Sequence, residues 1–128
     1  MKAMLDTHSF LWWNADDSQL SAAARQVIAA GSNEIYLSAC CAWEIAIKAA
    51  KGRLLLPEAA DDYVKQRLEH YGFRVLLIEL SHVLQIYKLP PLHHDPFDRL
   101  LVAQSQVEKL PLISGDSEIA RYAVDIIW

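Results

Sequence analysis

Three aspartates stand at points where an apolar segment gives way to a helix or turn. Asp6 directly follows the apolar run Lys2–Leu5, and Asp116 comes two residues after Leu112–Ser114. Asp98 lies in the first turn of a predicted helix. Carboxylate oxygens are the ligands that hard divalent cations such as Mg²⁺ and Mn²⁺ prefer, and such cations support phosphodiester hydrolysis. If these side chains meet in the fold, metal-assisted phosphate chemistry is the reaction class to expect.

A fourth acid, Glu44, lies within a predicted helix among alanines and isoleucines. Each acid also has a purely structural explanation. Asp6 and Asp116 could be N-caps, Asp95 could cap the helix that contains Asp98, and Glu44 could form an exposed pair with Lys48 four residues later. Taken together these explanations are weaker, because clustered carboxylates repel each other unless a cation or a proton neutralises them.

Alternating short strands and helices would have to bring these acids together. Apolar runs that end at turn residues predict strands, and helical periodicity between a cap and a glycine or proline predicts helices. The expected strands are Lys2–Leu5, Ile35–Leu37, Phe73–Ile78, Leu112–Ser114 and an edge strand Val124–Ile127. The expected helices are 21–30, 40–51, 58–70, 81–87, 96–107 and a short one after Ser117.

This order predicts an α/β fold with three layers, in which helices flank a central parallel sheet of about four or five short strands. The strands are continuously apolar, as expected where both faces of a sheet are buried. Ligands of such sheets bind beyond the carboxyl ends of the strands, which is where the aspartates stand.

The composition describes a folded chain with a small acidic excess. The 128 residues fit a single domain, 1–128, and 53% of them are hydrophobic, which excludes global disorder. Sixteen acidic residues face twelve basic ones, so bulk positive charge cannot hold a nucleic acid. Apart from the four acids singled out above, the two signs balance, so the excess is consistent with one acidic pocket.

The cysteines and the hydropathy of the chain indicate in which cellular compartment the protein is expected. Cys40 and Cys41 are adjacent, so they are expected to remain unpaired thiols. No apolar run is long enough to span a bilayer, and Asp6 interrupts the apolar N-terminus, which argues against a signal peptide. A cytoplasmic protein without a membrane segment is expected.

Four stretches of the chain, and the order in which they follow one another, resemble the PIN-domain ribonucleases of the VapC toxin type. The similarity covers essentially the whole chain. Asp95-Pro96-Phe97-Asp98-Arg99 is the most specific motif. The other stretches are Met4–His8, Trp43–Lys48 with Gly52–Leu54 after it, and Ser114–Asp116. Position 114 is Ser where the family commonly has Thr, a departure that keeps the hydroxyl.

The resemblance implies a metal-dependent endoribonuclease that acts as the toxin of a type II toxin–antitoxin system. Its carboxylate cluster would bind one or two Mg²⁺ or Mn²⁺ ions, and metal-activated water would hydrolyse RNA phosphodiester bonds. The implied catalytic and metal-binding residues are Asp6, Glu44, Asp98 and Asp116. Supporting roles fall to Asp95, Thr7, Ser114 and Arg99, and an RNA-binding track to Lys48, Lys51 and Arg53. The implied partners are RNA, a small cognate antitoxin that blocks the site, and a second copy in a homodimer.

Three other functions remain open at this point. A magnesium-dependent phosphatase or phosphotransferase with an aspartyl nucleophile would need a second Asp two positions after the first, where this chain has His8. A non-catalytic PIN-fold binding module would keep the fold without activity. A DNA nuclease is the third, because only contacts to the 2′-hydroxyl distinguish RNA from DNA.

Overall fold

A computed structural model describes all residues, 1–128, and contains a five-stranded parallel sheet. The strands are β1 (Lys2–Leu5), β2 (Glu34–Ser38), β3 (Arg74–Leu76), β4 (Leu112–Ile113) and β5 (Ile126–Ile127). The helices are α1 (Thr7–Asn14), α2 (Ala22–Ala29), α3 (Ala39–Ala50), α4 (Ala60–Tyr71), α5 (Leu80–Ile86) and α6 (Pro96–Glu108), with a 3₁₀ turn at Ile119–Arg121. The predicted three-layer α/β fold is confirmed.

The strand order is β3-β2-β1-β4-β5, and every neighbouring pair is parallel. From β1 the chain builds the sheet towards β3, and then crosses to the other side of β1 to add β4 and β5. The order therefore reverses between β1 and β4, whose carboxyl ends form a crevice of the kind that binds ligands in open parallel sheets. Asp6 leaves β1 at this crevice, and Ser114 leaves β4 beside it.

The core is one cluster of 23 buried apolar residues on both sides of the sheet centre. Ala3, Met4 and Leu5 of the central strand are fully buried, as the continuous apolar run predicted. Helix α3 packs against α1, α4 and α6, while α5 packs against α6. Because α3 is packed on several sides, Glu44 is buried, whereas the sequence also allowed an exposed position for it.

Helix α1 was not predicted from the sequence. Residues 7–14 carry three aromatic side chains and no clear apolar stripe, so the local pattern did not indicate a helix. Two interactions favour the helix in the fold. The Asp6 carboxylate accepts a hydrogen bond from the Ser9 amide at 2.8 Å, and Phe10 is fully buried against Tyr63 and Phe73.

The other element boundaries agree with the sequence analysis to within a few residues, with one exception. The strand predicted for Phe73–Ile78 is reduced to Arg74–Leu76. Val75 is exposed and Leu76 is only partly buried, because β3 is an edge strand. None of the helices is long and apolar enough to cross a membrane.

Candidate active site

Asp6 lies at the end of β1 and is only 4% exposed. Burial raises the pKa of its carboxyl group, while hydrogen bonds from Ser114 and Ser9 act in the opposite direction. The Ser9 hydroxyl in turn donates to the Ile113 carbonyl at 3.0 Å, which ties α1 to β4. Asp6 therefore combines two roles: it caps α1, and it presents a buried carboxylate to the crevice.

Asp116 lies on the other side of the same crevice. Its amide donates to the Ser114 hydroxyl at 3.1 Å, and its carboxylate accepts from the Glu118 amide at 2.8 Å. A small cavity of about 250 Å³ is lined by Asp6, His8, Trp12, Gly115 and Asp116. The structure thus brings Asp6 and Asp116 to one cavity, as predicted from their positions at the strand ends.

Glu44 reaches the site from α3 and is 4% exposed. The Thr7 hydroxyl donates to one carboxylate oxygen at 2.6 Å, and the Lys48 ammonium contacts the other. Ser38 caps α3 by accepting from the Cys40 amide at 3.0 Å, which fixes the start of the helix that carries Glu44. Thr7 and Lys48 are therefore positioning partners of a buried acid.

Asp98 lies in the first turn of α6, next to the cap that Asp95 provides. The Asp95 carboxylate accepts from the amides of Phe97 and Asp98 at 2.9 and 3.0 Å, so its predicted capping role is confirmed. Burial, and then the charge of Asp95, raise the pKa of Asp98 to about 6, with Asp116 and Glu44 contributing further and a hydrogen bond from His93 opposing them.

His93 and Tyr122 were not predicted as site residues. One His93 ring nitrogen lies 3.3 Å from an Asp98 carboxylate oxygen, and the other lies 2.7 Å from the Tyr122 hydroxyl. Arg99 donates to the same hydroxyl at 2.9 Å and pairs with no carboxylate. The only sequence signal for His93 was its position close to the Asp95–Arg99 motif. Tyr122 gave no such signal, because it is distant in sequence and meets His93 only in the folded chain.

The buried cysteine Cys40 lies close enough to three of the acids for their charges to affect its thiol. Burial, followed by the charges of Glu44, Asp98 and Asp95, raises its pKa to about 12. The thiol therefore stays protonated at neutral pH and is not a nucleophile. Both cysteines are unpaired, as predicted, and the structure buries both of them.

The carboxylates share one edge of the sheet, but they are not gathered as closely as the sequence analysis expected. No group of three or more His, Cys, Asp or Glu side chains is arranged to hold a metal ion. The physical reason is that each acid already has local donors: the Ser9 amide, the Thr7 hydroxyl, the Lys48 ammonium, His93 and the Glu118 amide.

The donor set nevertheless fits a hard cation in one specific way. All four side chains are carboxylates. Burial is the main cause of the raised Asp98 pKa, and a cation would relieve the repulsion from Asp95, Asp116 and Glu44 that adds to it. Mg²⁺ commonly keeps several waters and binds through only one or two carboxylates plus substrate phosphates. The arrangement therefore fits a largely hydrated ion better than a closed protein cage.

The basic residues of the predicted RNA-binding track differ in their surroundings. Lys48 is paired with Glu44, whereas Lys51 and Arg53 form no ion pair. Lys48 and Arg53 line a cavity of about 420 Å³ that reaches Thr7 and Glu44. Lys51 does not line this cavity.

The model of the PIN domain family matches residues 3–125. The chain belongs to the PIN domain family. A curated relative, Ribonuclease VapC22 of Mycobacterium tuberculosis, is 30% identical to it over 117 residues, which are 91% of this chain and 88% of the relative.

Solved structures share the PIN-domain fold at low sequence identity. VapBC2 from Rickettsia felis, bound to a DNA fragment from its promoter, has a TM-score of 0.72 at 14% identity and 98% and 97% coverage of the two chains. FitAB bound to the IR36 DNA fragment has a TM-score of 0.70 at 14% identity, with 99% and 94% coverage. FitAcB from Neisseria gonorrhoeae has a TM-score of 0.65 at 16% identity, with 100% and 97% coverage.

Gly115 of this PIN domain allows an aromatic ring to lie beside the crevice. A Cβ at this position would lie 2.5 Å from the Trp128 ring. We expect Gly115→Ala to displace Trp128 and to lower the free energy of unfolding by about 1–3 kcal/mol, as overpacking does. Tryptophan fluorescence and thermal unfolding measure the two effects.

Gly31→Ala is the control for Gly115→Ala, because its Cβ would meet nothing within 4 Å. Equal effects of the two variants would contradict the proposed packing.

Proposed function

We propose that this PIN domain, residues 1–128, is a divalent-metal-dependent endoribonuclease that acts as the toxin of a toxin–antitoxin pair. The observation that carries the proposal is that Asp6 and Asp116 line one cavity at the β1–β4 crevice, while Asp98 lies close enough to Asp116 and Glu44 for their charges to raise its pKa. The similarity to Ribonuclease VapC22 supports RNA as the substrate class.

Asp6, Glu44, Asp98 and Asp116 would hold the cation, Mg²⁺ or Mn²⁺, as one or two ions. When bound, the ion would activate water for attack and neutralise charge that develops on the phosphate. Thr7 orients the Glu44 carboxylate, and Asp95 fixes the α6 turn from which Asp98 projects. Ser114 supports Asp6 through its hydroxyl group.

Arg99 and His93 have a positioning role in this proposal. Both bind the Tyr122 hydroxyl, so the ring of His93 is held with one nitrogen towards Asp98. The hydrogen bond from His93 favours the ionised form of Asp98, which is the form that a cation requires. Arg99 thus acts on Asp98 through Tyr122 and His93.

The RNA strand would approach through the cavity that Lys48 and Arg53 line beside Glu44. Basic side chains at this place can contact the phosphate backbone without reading a sequence. The same cavity has apolar walls formed in part by Leu11, Leu56 and Tyr63. An antitoxin segment that filled it would cover Glu44 and block the site.

Antitoxin binding is proposed from the relatives and from this cavity together. The similar solved structures carry the two-component names VapBC2 and FitAB. A short reading frame adjacent to this gene is expected, and co-expression with its product tests the prediction. Copurification and loss of nuclease activity would support the assignment, and neither outcome is expected of a nuclease that acts alone.

The decisive experiment is cleavage of single-stranded RNA by the purified chain. We expect cleavage with Mg²⁺ or Mn²⁺, none in EDTA, and recovery when excess metal is restored. Single-stranded DNA of the same sequence is the matched control and should remain intact. Phosphate release from monoesters without strand cleavage would support the phosphatase alternative, and inactivity towards all substrates would support the binding module.

The pH dependence of cleavage follows from Asp98. Because its pKa is raised to about 6, Asp98 is largely protonated below that value and cannot serve as a metal ligand. With metal below saturation, we expect kcat/KM to rise roughly tenfold per pH unit below pH 6 and to level off above it. An activity that is flat between about pH 5 and 8 would contradict this role.

A further inference from the structure

Three aromatic side chains lie in a row beside the crevice, two from α1 and one from the residue after β5. The rings of His8 and Trp12, one helical turn apart, are stacked with their centroids 5.4 Å apart and their planes at 26°. The Trp128 ring lies 6.0 Å from the Trp12 ring, at an angle of 51°. We call these three side chains the aromatic row. Only the fold brings the row together, because Trp128 is distant in sequence from α1.

Two members of the row line both cavities of the candidate active site. His8 and Trp12 line the cavity of about 420 Å³ that contains the basic side chains. They also line the cavity of about 250 Å³ that Asp6 and Asp116 share. The basic and the acidic parts of the site therefore have an aromatic wall in common, and a strand that extended from one part to the other would pass along it.

The aromatic row is accessible to solvent. His8 is exposed, Trp12 is half-buried, and Trp128 is 40% exposed. The Trp128 ring lies against Gly115, where an added Cβ would be only 2.5 Å from it, so the ring has a defined place. Phe10, also on α1, is by contrast fully buried in the core. Core packing accounts for Phe10, but it does not require the exposed part of the row.

We propose that the aromatic row is a stacking site for an unpaired nucleobase of the RNA strand, beside the phosphate that is cut. This inference rests on the proposed function, because the RNA strand is the ligand that would occupy both cavities. Every nucleobase has a flat π face, and single-stranded nucleic acid is commonly held by aromatic stacking next to a positively charged groove. Lys48 and Arg53 supply positive charge on one side of the row, and Asp6 and Asp116 lie on the other.

The stacking site would also select the form of the RNA. A base within a duplex is already stacked between its neighbours, so it can reach the row only if it is splayed out of the helix. The row therefore favours single-stranded segments and loops. It places little restriction on the identity of the base, since all four bases stack.

Binding of a short single-stranded RNA of mixed sequence tests the row without cleavage. The RNA carries a fluorescent label, and anisotropy is measured in EDTA. We expect Trp12→Leu to raise Kd about fivefold or more, as loss of one stacking partner does. Trp12→Phe retains a ring and should bind within about twofold of the parent. Trp128→Leu is a second variant, and it should weaken binding in the same direction. Circular dichroism checks that each variant is folded.

An oligomer with the same ribose-phosphate backbone but without bases separates stacking from phosphate contacts. It should bind the parent and Trp12→Leu equally, because only the bases would contact the row. Trp13→Leu is the matched control for the loss of a tryptophan from α1. Trp13 lines neither cavity and packs edge-on against Tyr71, so this variant should bind RNA as the parent does.

The outcomes distinguish the stacking site from the proposed function. If the parent cleaves RNA while Kd and KM are unchanged in both Trp12→Leu and Trp128→Leu, the stacking site is wrong and the nuclease remains. RNA binding that depends on Trp12 without any cleavage would support the stacking site and contradict the nuclease. Equal losses for the RNA and the oligomer without bases would contradict stacking. If Trp12→Leu binds RNA normally but no longer binds the antitoxin, the row belongs to the antitoxin surface and the proposal is overturned.

Discussion

Asp98→Asn should reduce RNA cleavage by about 100-fold or more, the usual cost of removing one preorganised electrostatic group from an active site. Asparagine has nearly the same shape and can still accept a hydrogen bond from His93, so the loss would come from the missing charge. The measurement is kcat/KM on a single-stranded RNA at saturating Mn²⁺. Asp61→Asn is a suitable control, because Asp61 is an exposed acid in the first turn of α4.

The same substitution should stabilise the protein when no metal is present. The folded-state pKa of Asp98 is raised from 3.8 to about 6, so the folded chain binds this proton more tightly than the unfolded chain does. Stability from this group is therefore lost as pH rises from about 4 to 6, and the ionised carboxylate destabilises the fold above that range. Asparagine avoids this cost, which we expect to be on the order of 2 kcal/mol.

Thermal unfolding in EDTA at two pH values tests this second effect. The unfolding temperature of Asp98→Asn should exceed that of the parent at pH 8, and the difference should shrink at about pH 4, where the parent carboxyl is protonated. Added Mn²⁺ should stabilise the parent more than the variant. A variant as active as the parent would remove Asp98 from the proposed site, and a variant that is less stable at pH 8 would contradict the electrostatic account.

Glu44→Gln is the second substitution from which a large loss of activity is expected, again about 100-fold. Glutamine can still accept the hydrogen bond from Thr7 and fills the same volume, but it leaves Lys48 without its ionic partner. Cleavage assays at increasing Mn²⁺ separate a loss of metal affinity from a loss of chemistry. If Glu44 were only a helix ion pair, activity would be nearly unchanged.

Lys48→Met complements Glu44→Gln, because it keeps the buried Glu44 carboxylate and removes the Lys48 ammonium that contacts it. We expect tighter Mn²⁺ binding in calorimetry, since the cation no longer competes with Lys48, together with lower stability in EDTA. Arg53→Met, which removes a nearby basic side chain that forms no ion pair, should leave Mn²⁺ affinity unchanged. Equal Mn²⁺ affinities of Lys48→Met and the parent would exclude direct competition between the lysine and the ion.

Much of the fold was predictable because local signals agreed with one another. Strand β1 was predicted with its observed bounds, because a continuous apolar run ends at a capping aspartate. Ser21 and Asp95 cap their helices as the sequence indicated. Helix α1 was missed because its stability comes from the burial of Phe10 against Tyr63 and Phe73, which are distant in sequence.

The amino-acid sequence by itself determined the set of acidic residues, the parallel α/β class and the family, because these follow from residue types in a fixed order. The tertiary structure decided which acids share a cavity and which side chains contact each acid. Thr7 and Lys48 contact Glu44, and His93, itself bound to Tyr122, contacts Asp98. It also decided that helix α5 keeps apolar side chains exposed to solvent. Contacts between distant segments set pKa values, burial and helix rotation, and no local pattern along the chain encodes these quantities.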